Sequence, residues 1–395
     1  RIGWLLIPTT LIPTMFFFMF GSTMDLIKYP KIKITKTDAW LGLLLLIQGA
    51  IIVLHFVKYP LFPQFDSQDF LSHGQYANTI VNQPLPASQA ILYQGIHYVL
   101  AFGTVLSGES GIFAARYIMG ILALLSPLWM FYASLKLFKS QRSALAVSGV
   151  YVLTGTLWFG MVFVSGLYPN FYALLAGLFV IGSLANLVES KSKANWFVYL
   201  FALAGASLSH HSVLLGIPAM VVYVLLKARK DVSNIFTIVP IIFGVIAALF
   251  VPSLFSILST VYSGSENFSY RPTQASSILA SIPTVSNLFG VIQADIQTIC
   301  LLILSVGFVC LCIRKKKAEL ILPVVWLLTI LVSSPQNNLS WRFSFNAILP
   351  LIMMAGFALH SFTPKESRKY ERKGYGAKAF ILLLVIIPSS FMGSW

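Results

Sequence analysis

Charge is what this sequence has least of. Of its 395 residues only 10% are charged, and just 12 are acidic. Soluble domains carry roughly 25% charged residues, so an ordinary water-soluble globular chain is excluded. Disordered chains are polar and charge-rich, so the same figures exclude disorder. Cysteine is nearly absent too. Cys300, Cys310 and Cys312 fall in one apolar run, which leaves no disulfide framework. Also missing are a P-loop, a Gly-x-Gly-x-x-Gly turn after a strand, a Cys/His zinc spacing and a Gly-x-Ser-x-Gly elbow. Nothing here builds a nucleotide-binding domain.

What is present is apolar. Hydrophobic residues make up 57% of the chain, with a mean hydropathy of +0.82. A hydrocarbon core takes about 20 apolar residues per helix. Candidate spans are 3–20, 39–58, 111–137, 143–165, 168–188, 196–210, 212–226, 233–258, 289–313, 319–333, 343–361 and 379–394. The runs are continuous and rich in Leu, Ile and Phe rather than alternating, which argues against a β-barrel. The expected fold is an all-α integral membrane protein of about 12 helices, a single polytopic domain over residues 1–395 with no soluble domain. The opening Arg1 without a Met reads as a trimmed or incomplete N-terminus.

The net charge of +15, from 27 basic and 12 acidic residues, would suggest nucleic acid in a soluble protein. Its distribution gives another meaning. The segment 88–107 carries His97, Gln89 and Gln94, and either spans the membrane or lies along the outer surface. If it lies on the surface, 22 of the 27 basic residues fall on one side. The positive-inside rule favours that arrangement. Seven acidic residues share the same side, so the whole net charge is topology and nucleic acid is not a partner. Two long loops then face outward, 59–110 and 259–288, and the sequons at Asn267 and Asn338 fall on that face.

Four groups could carry chemistry. Asp66, Asp69 and His73 share one face if the segment after Pro63 is helical, with Asp66 or Ser67 as N-cap. Two carboxylates and an imidazole there can bind a divalent cation or take a proton from an acceptor; a solvated face of an amphipathic surface helix is the plainer alternative. His210 and His211 lie between two short apolar segments, which should turn below the outer surface and place the pair at the floor of a cavity. Backbone carbonyls satisfying an interfacial pair are the alternative. Arg342, at the outer start of 343–361, suits a phosphate or carboxylate, or else snorkels to headgroups. Arg116 is similar, with a structural pairing to Asp66, Asp69 or Glu109 as its plainer role. Glu266, in Ser263-Gly264-Ser265-Glu266-Asn267, is the fourth candidate, against a solvated loop acid.

The order of these features resembles the GT-C superfamily of polytopic glycosyltransferases. It runs from an apolar helix to an outer loop with an acid pair and His73, then Tyr93-Gln94-Gly95-Ile96-His97, then Ala115-Arg116 opening a helix. Protein O-mannosyltransferases, aminoarabinose transferases and oligosaccharyltransferase subunits belong to that superfamily. The resemblance implies a catalytic role for Asp66 and Asp69, and substrate binding by His73, His210, His211, Arg342 and Arg116. It also implies a site for Mg²⁺ or Mn²⁺ drawing on Asp66, Asp69 and Glu266, although some members need no metal. The chain departs from the pattern in lacking a proline after His211, a Trp-Trp-Asp motif and a C-terminal soluble domain.

The activity so implied is transfer of a sugar from a polyprenyl-phosphate donor to an acceptor on the outer face of the cell membrane, because activated nucleotide sugars stay inside and an outward site needs a donor that crosses as a lipid. Two alternatives stand beside it. A transporter or flippase of a lipid-linked saccharide would line mid-membrane helices with charge, and a noncatalytic subunit of a larger complex would leave Asp66, His73 and His210 apart.

Overall fold

The computed structural model describes residues 35–58, 68–82, 94–154, 168–209, 211–228, 235–245, 296–315, 318–333 and 340–361. Every regular element among them is helical. In chain order they are α1 (Lys36–Lys58), α2 (Gln68–Asn82), α3 (Gln94–Ser107), α4 (Gly111–Phe138), α5 (Gln141–Leu153), α6 (Tyr168–Glu189) and α7 (Lys193–Ser209). A 3₁₀ turn, His211–Gly216, leads into α8 (Ile217–Ala228). Then come α9 (Ile235–Val245), α10 (Ile296–Lys315), α11 (Ala318–Ser333) and α12 (Ser340–Ser361). The expected spans 3–20 and 379–394 lie outside the described residues.

Among the described residues three stretches, Lys36–Leu54, Gly111–Phe138 and Tyr168–Glu189, are long and apolar enough to cross a membrane. Their exteriors match that reading. Trp40, Leu43, Leu46, Leu54 and Val57 of α1 and Phe113 and Ile121 of α4 are exposed, an apolar surface that lipid accepts and water does not. The central helix is α6, buried on most of its circumference and packed against α4 and α7.

Local chemistry explains the helix ends. Thr35 and Asp38 form a capping box at the start of α1: the Thr35 N–H donates to Asp38 Oδ2 at 2.8 Å, and the Asp38 N–H donates to Thr35 Oγ1 at 3.3 Å. Ser140 caps α5 by accepting from the Ser143 N–H. Pro127 lies inside α4, where its missing N–H leaves the carbonyl of Ala123 without its helical donor. Two side chains replace it. Gln48 Nε2, on the fully buried Gln48 of α1, donates to that carbonyl at 2.8 Å, and Ser126 Oγ donates at 2.6 Å. A polar residue in the middle of an apolar helix is thereby explained by a proline in its neighbour.

One end of the assembly gathers the charges. Lys139 pairs with Glu189 and Lys227 with Glu319, joining the ends of α4 and α6 and of α8 and α11. Thr37 Oγ1 donates to Gln141 Oε1 at 3.1 Å, bringing the starts of α1 and α5 to the same end. These are the segments that the charge pattern puts together. At the opposite end α3 and α4 form a helical hairpin. Its turn uses Gly108 at φ +70°, a left-handed conformation that glycine adopts without a Cβ clash. At 14 residues α3 rises only about 21 Å, too short to cross a hydrocarbon core.

Candidate histidine site at the end opposite the charged loops

The site is assembled where α2 crosses the head of α4. That crossing depends on two glycines. A Cβ on Gly74 would stand 2.6 Å from Ile112 Cγ1, and one on Gly111 would meet the Gly74 carbonyl. The close approach lets Asn78 Oδ1 accept the Gly111 N–H at 2.6 Å. Ser110, the residue at the N-cap position, makes no side-chain cap, so Asn78 satisfies a helix-start donor from across the interface.

α3 packs on both α2 and α4 and delivers His97 beside His73. His73 Nδ1 and His97 Nε2 lie 2.7 Å apart, a hydrogen bond between two imidazoles. Tyr76 stands 5.2 Å from the His97 ring, and Tyr168, at the head of α6, stands 5.9 Å from the His73 ring, measured between centroids. His97 is only 6% exposed. Burial, with a smaller contribution from neighbouring His73, pushes its pKa down to about 3. His97 is therefore neutral at physiological pH.

The first turn of α3 also meets the end of α7. A Cβ on Gly95 would lie 3.1 Å from Ser209 Oγ and 3.4 Å from both Ser209 Cα and Tyr172 Cε1. Ser209 is the residue from which the chain runs on to His210 and His211. The expected break between two short segments occurs there, with α7 ending at Ser209 and a 3₁₀ turn opening at His211.

The remaining candidates fall as follows. Asp66, His210 and Glu266 lie outside the described residues. Asp69 lies in the first turn of α2, His211 opens the 3₁₀ turn and Arg342 lies in the first turn of α12, their side chains outside the description. Arg116 is positioned by α1. Its Nη2 donates to the Phe56 carbonyl at 3.4 Å and its guanidinium covers the Phe56 ring at 4.5 Å, which ties the end of α1 to α4. Among the described residues no group of three or more His, Cys, Asp or Glu side chains could hold a metal ion. The carboxylates expected to do so, Asp66, Asp69 and Glu266, have no described side chains.

An open apolar groove lies between α4, α6 and α7, lined by Leu122, Trp129, Tyr172, Leu175, Phe179 and Gly205 among others. Tyr172 lines the groove, and its ring also borders Gly95 of α3, two residues before His97. Sequence reading singled out His73 but passed over His97 and Tyr168 as site residues. Its hints for His97 were a polar residue in an otherwise apolar run and the stretch Tyr93-Gln94-Gly95-Ile96-His97.

The fold and site together define a protein whose described elements are all helical, with membrane-length apolar helices and a partly buried histidine pair at the end away from its basic loops. The chain belongs to the family of unknown function DUF6541, which matches it over residues 69–383. That stretch includes Asp69, His73, His97, His210, His211 and Arg342. No curated protein matches the chain.

Proposed function

We propose that the protein is a multi-pass membrane glycosyltransferase of the GT-C type. It acts on the extracytoplasmic face of the cell membrane and transfers a sugar from a polyprenyl-phosphate donor to an acceptor. The observation that carries this reading is the apolar groove whose Tyr172 borders the helix holding His97. Such a groove suits a lipid tail, and the histidine pair suits a polar headgroup. A lipid carrier also fits the location, because activated nucleotide sugars stay in the cytoplasm.

In this mechanism Asp66 or Asp69 takes the proton from an acceptor hydroxyl. The oxygen attacks the anomeric carbon as the carbon–oxygen bond to the lipid phosphate breaks, and the phosphate leaves with the bonding electrons. The sugar is transferred with inversion. Arg342 supplies a permanent positive charge for the departing phosphate. His73, His210 and His211 line the polar side of the substrate. Mg²⁺ or Mn²⁺, held by Asp66, Asp69 and Glu266, would neutralise charge on the donor phosphate when bound.

The test is transfer by the full chain in lipid nanodiscs, with polyprenyl-phosphate hexoses as donors and sugar release to an acceptor or to water as readout. Asp66→Asn and Asp69→Asn separate the two carboxylates. Loss of the catalytic base should lower the rate by about 100-fold or more. Undiminished transfer in both folded variants would sink the mechanism.

A further inference from the structure

The two imidazoles form a pair drawn from separate helices, His73 from α2 and His97 from α3, joined at 2.7 Å. His97 is walled in by the core, whereas His73 is partly exposed. A hydrogen bond between neutral imidazoles has two possible polarities. If His97 Nε2–H donated, protonating His73 would put a second proton on the same axis and break the bond inside a partly buried contact. If His73 Nδ1–H donates, the bond survives whether His73 is neutral or charged. Only its other nitrogen, Nε2, then gains or loses a proton.

We propose that His97 is a positioning residue for His73, accepting the His73 Nδ1–H at its own buried Nε2 and so fixing the tautomer and orientation of the His73 ring. His97 does this as a fixed acceptor: the crossing of Gly74 over Gly111 sets α2, and the seat of Gly95 on Ser209 sets α3. The tilted ring contacts of His73 with Tyr168 and of His97 with Tyr76 limit rotation of both rings. The role in catalysis rests on the transferase reading, but the pair itself does not.

The experiment is ¹⁵N NMR of histidine-labelled full chain in nanodiscs, assigned by single substitution of the six histidines. The expected signature is a through-hydrogen-bond coupling between His73 Nδ1 and His97 Nε2, with the proton on His73. This is read first in the unaltered chain, so it does not depend on a variant folding. His97→Gln, which offers an amide oxygen as acceptor, should keep the Nδ1–H form of His73; His97→Phe should lose it. Transfer should fall by about 10- to 100-fold in His97→Phe and recover largely in His97→Gln. Absence of the coupling, or His73 shifts that ignore His97→Phe, overturns the pairing. An intact signature in a chain that transfers no sugar overturns the transferase reading and leaves the pairing standing.

Discussion

At the scale of single residues, His97 is the clearest case of burial deciding chemistry. An unfolded histidine titrates near 6.5, and the folded one is held down to about 3. Between those values the unfolded chain binds the proton and the folded chain does not, so stability falls as pH falls. It is fully present above 6.5 and declines through the window down to about 3. The slope approaches about 1.4 kcal/mol per pH unit. Thermal unfolding of the nanodisc-embedded chain between pH 7.5 and 5 should show this decline, and His97→Phe should flatten it. Equal slopes in the two proteins would contradict the burial argument. Part of this was legible beforehand: His73 stood out by its spacing from Asp66 and Asp69. His97 did not, because an isolated histidine in an apolar helix carries no periodic signal, and its partner lies 24 residues away.

At the scale of elements, the glycines of α2 and α4 matter through contact rather than composition. Gly111→Ala would drive a methyl into the Gly74 carbonyl and part α2 from α4, removing the Asn78 cap. A cost of about 1–3 kcal/mol is expected, read as a lowered unfolding midpoint together with loss of the His73–His97 coupling. Gly149→Ala is the control, because a Cβ there meets nothing within 4 Å, and helix propensity favours alanine. If both variants lower the midpoint equally, the close crossing is not what holds α2. The helices themselves were readable from hydropathy, and α4 and α6 begin and end within a residue of expectation. Their crossings were not, since the run of apolar residues is the same whichever face a helix turns to its neighbour. Gln48 and Pro127 show this well: each looks like a flaw in its own helix until the two are seen together.

At the scale of the whole molecule, the charged ends predict sidedness. Lys139, Glu189, Lys227 and Glu319 meet at one end, and the histidine pair lies at the other. In right-side-out vesicles, with native cysteines replaced, Tyr76→Cys should react with an impermeant maleimide added outside. Lys191→Cys, in the exposed connection between α6 and α7, should react only after permeabilisation. The reverse pattern would invert the topology and with it the location of the site. The sequence by itself determined the helical class and the segregation of basic loops. Both follow from sums over many residues, the hydropathy of a run and the charge of a connection. Only the tertiary structure decided that His97 completes the site with His73, that Arg116 is held by Phe56, and that the groove reaches Tyr172 beside Gly95. Those are contacts between particular atoms on separate helices, set by close packing at glycines and by hydrogen bonds across interfaces. No local pattern along the chain encodes them.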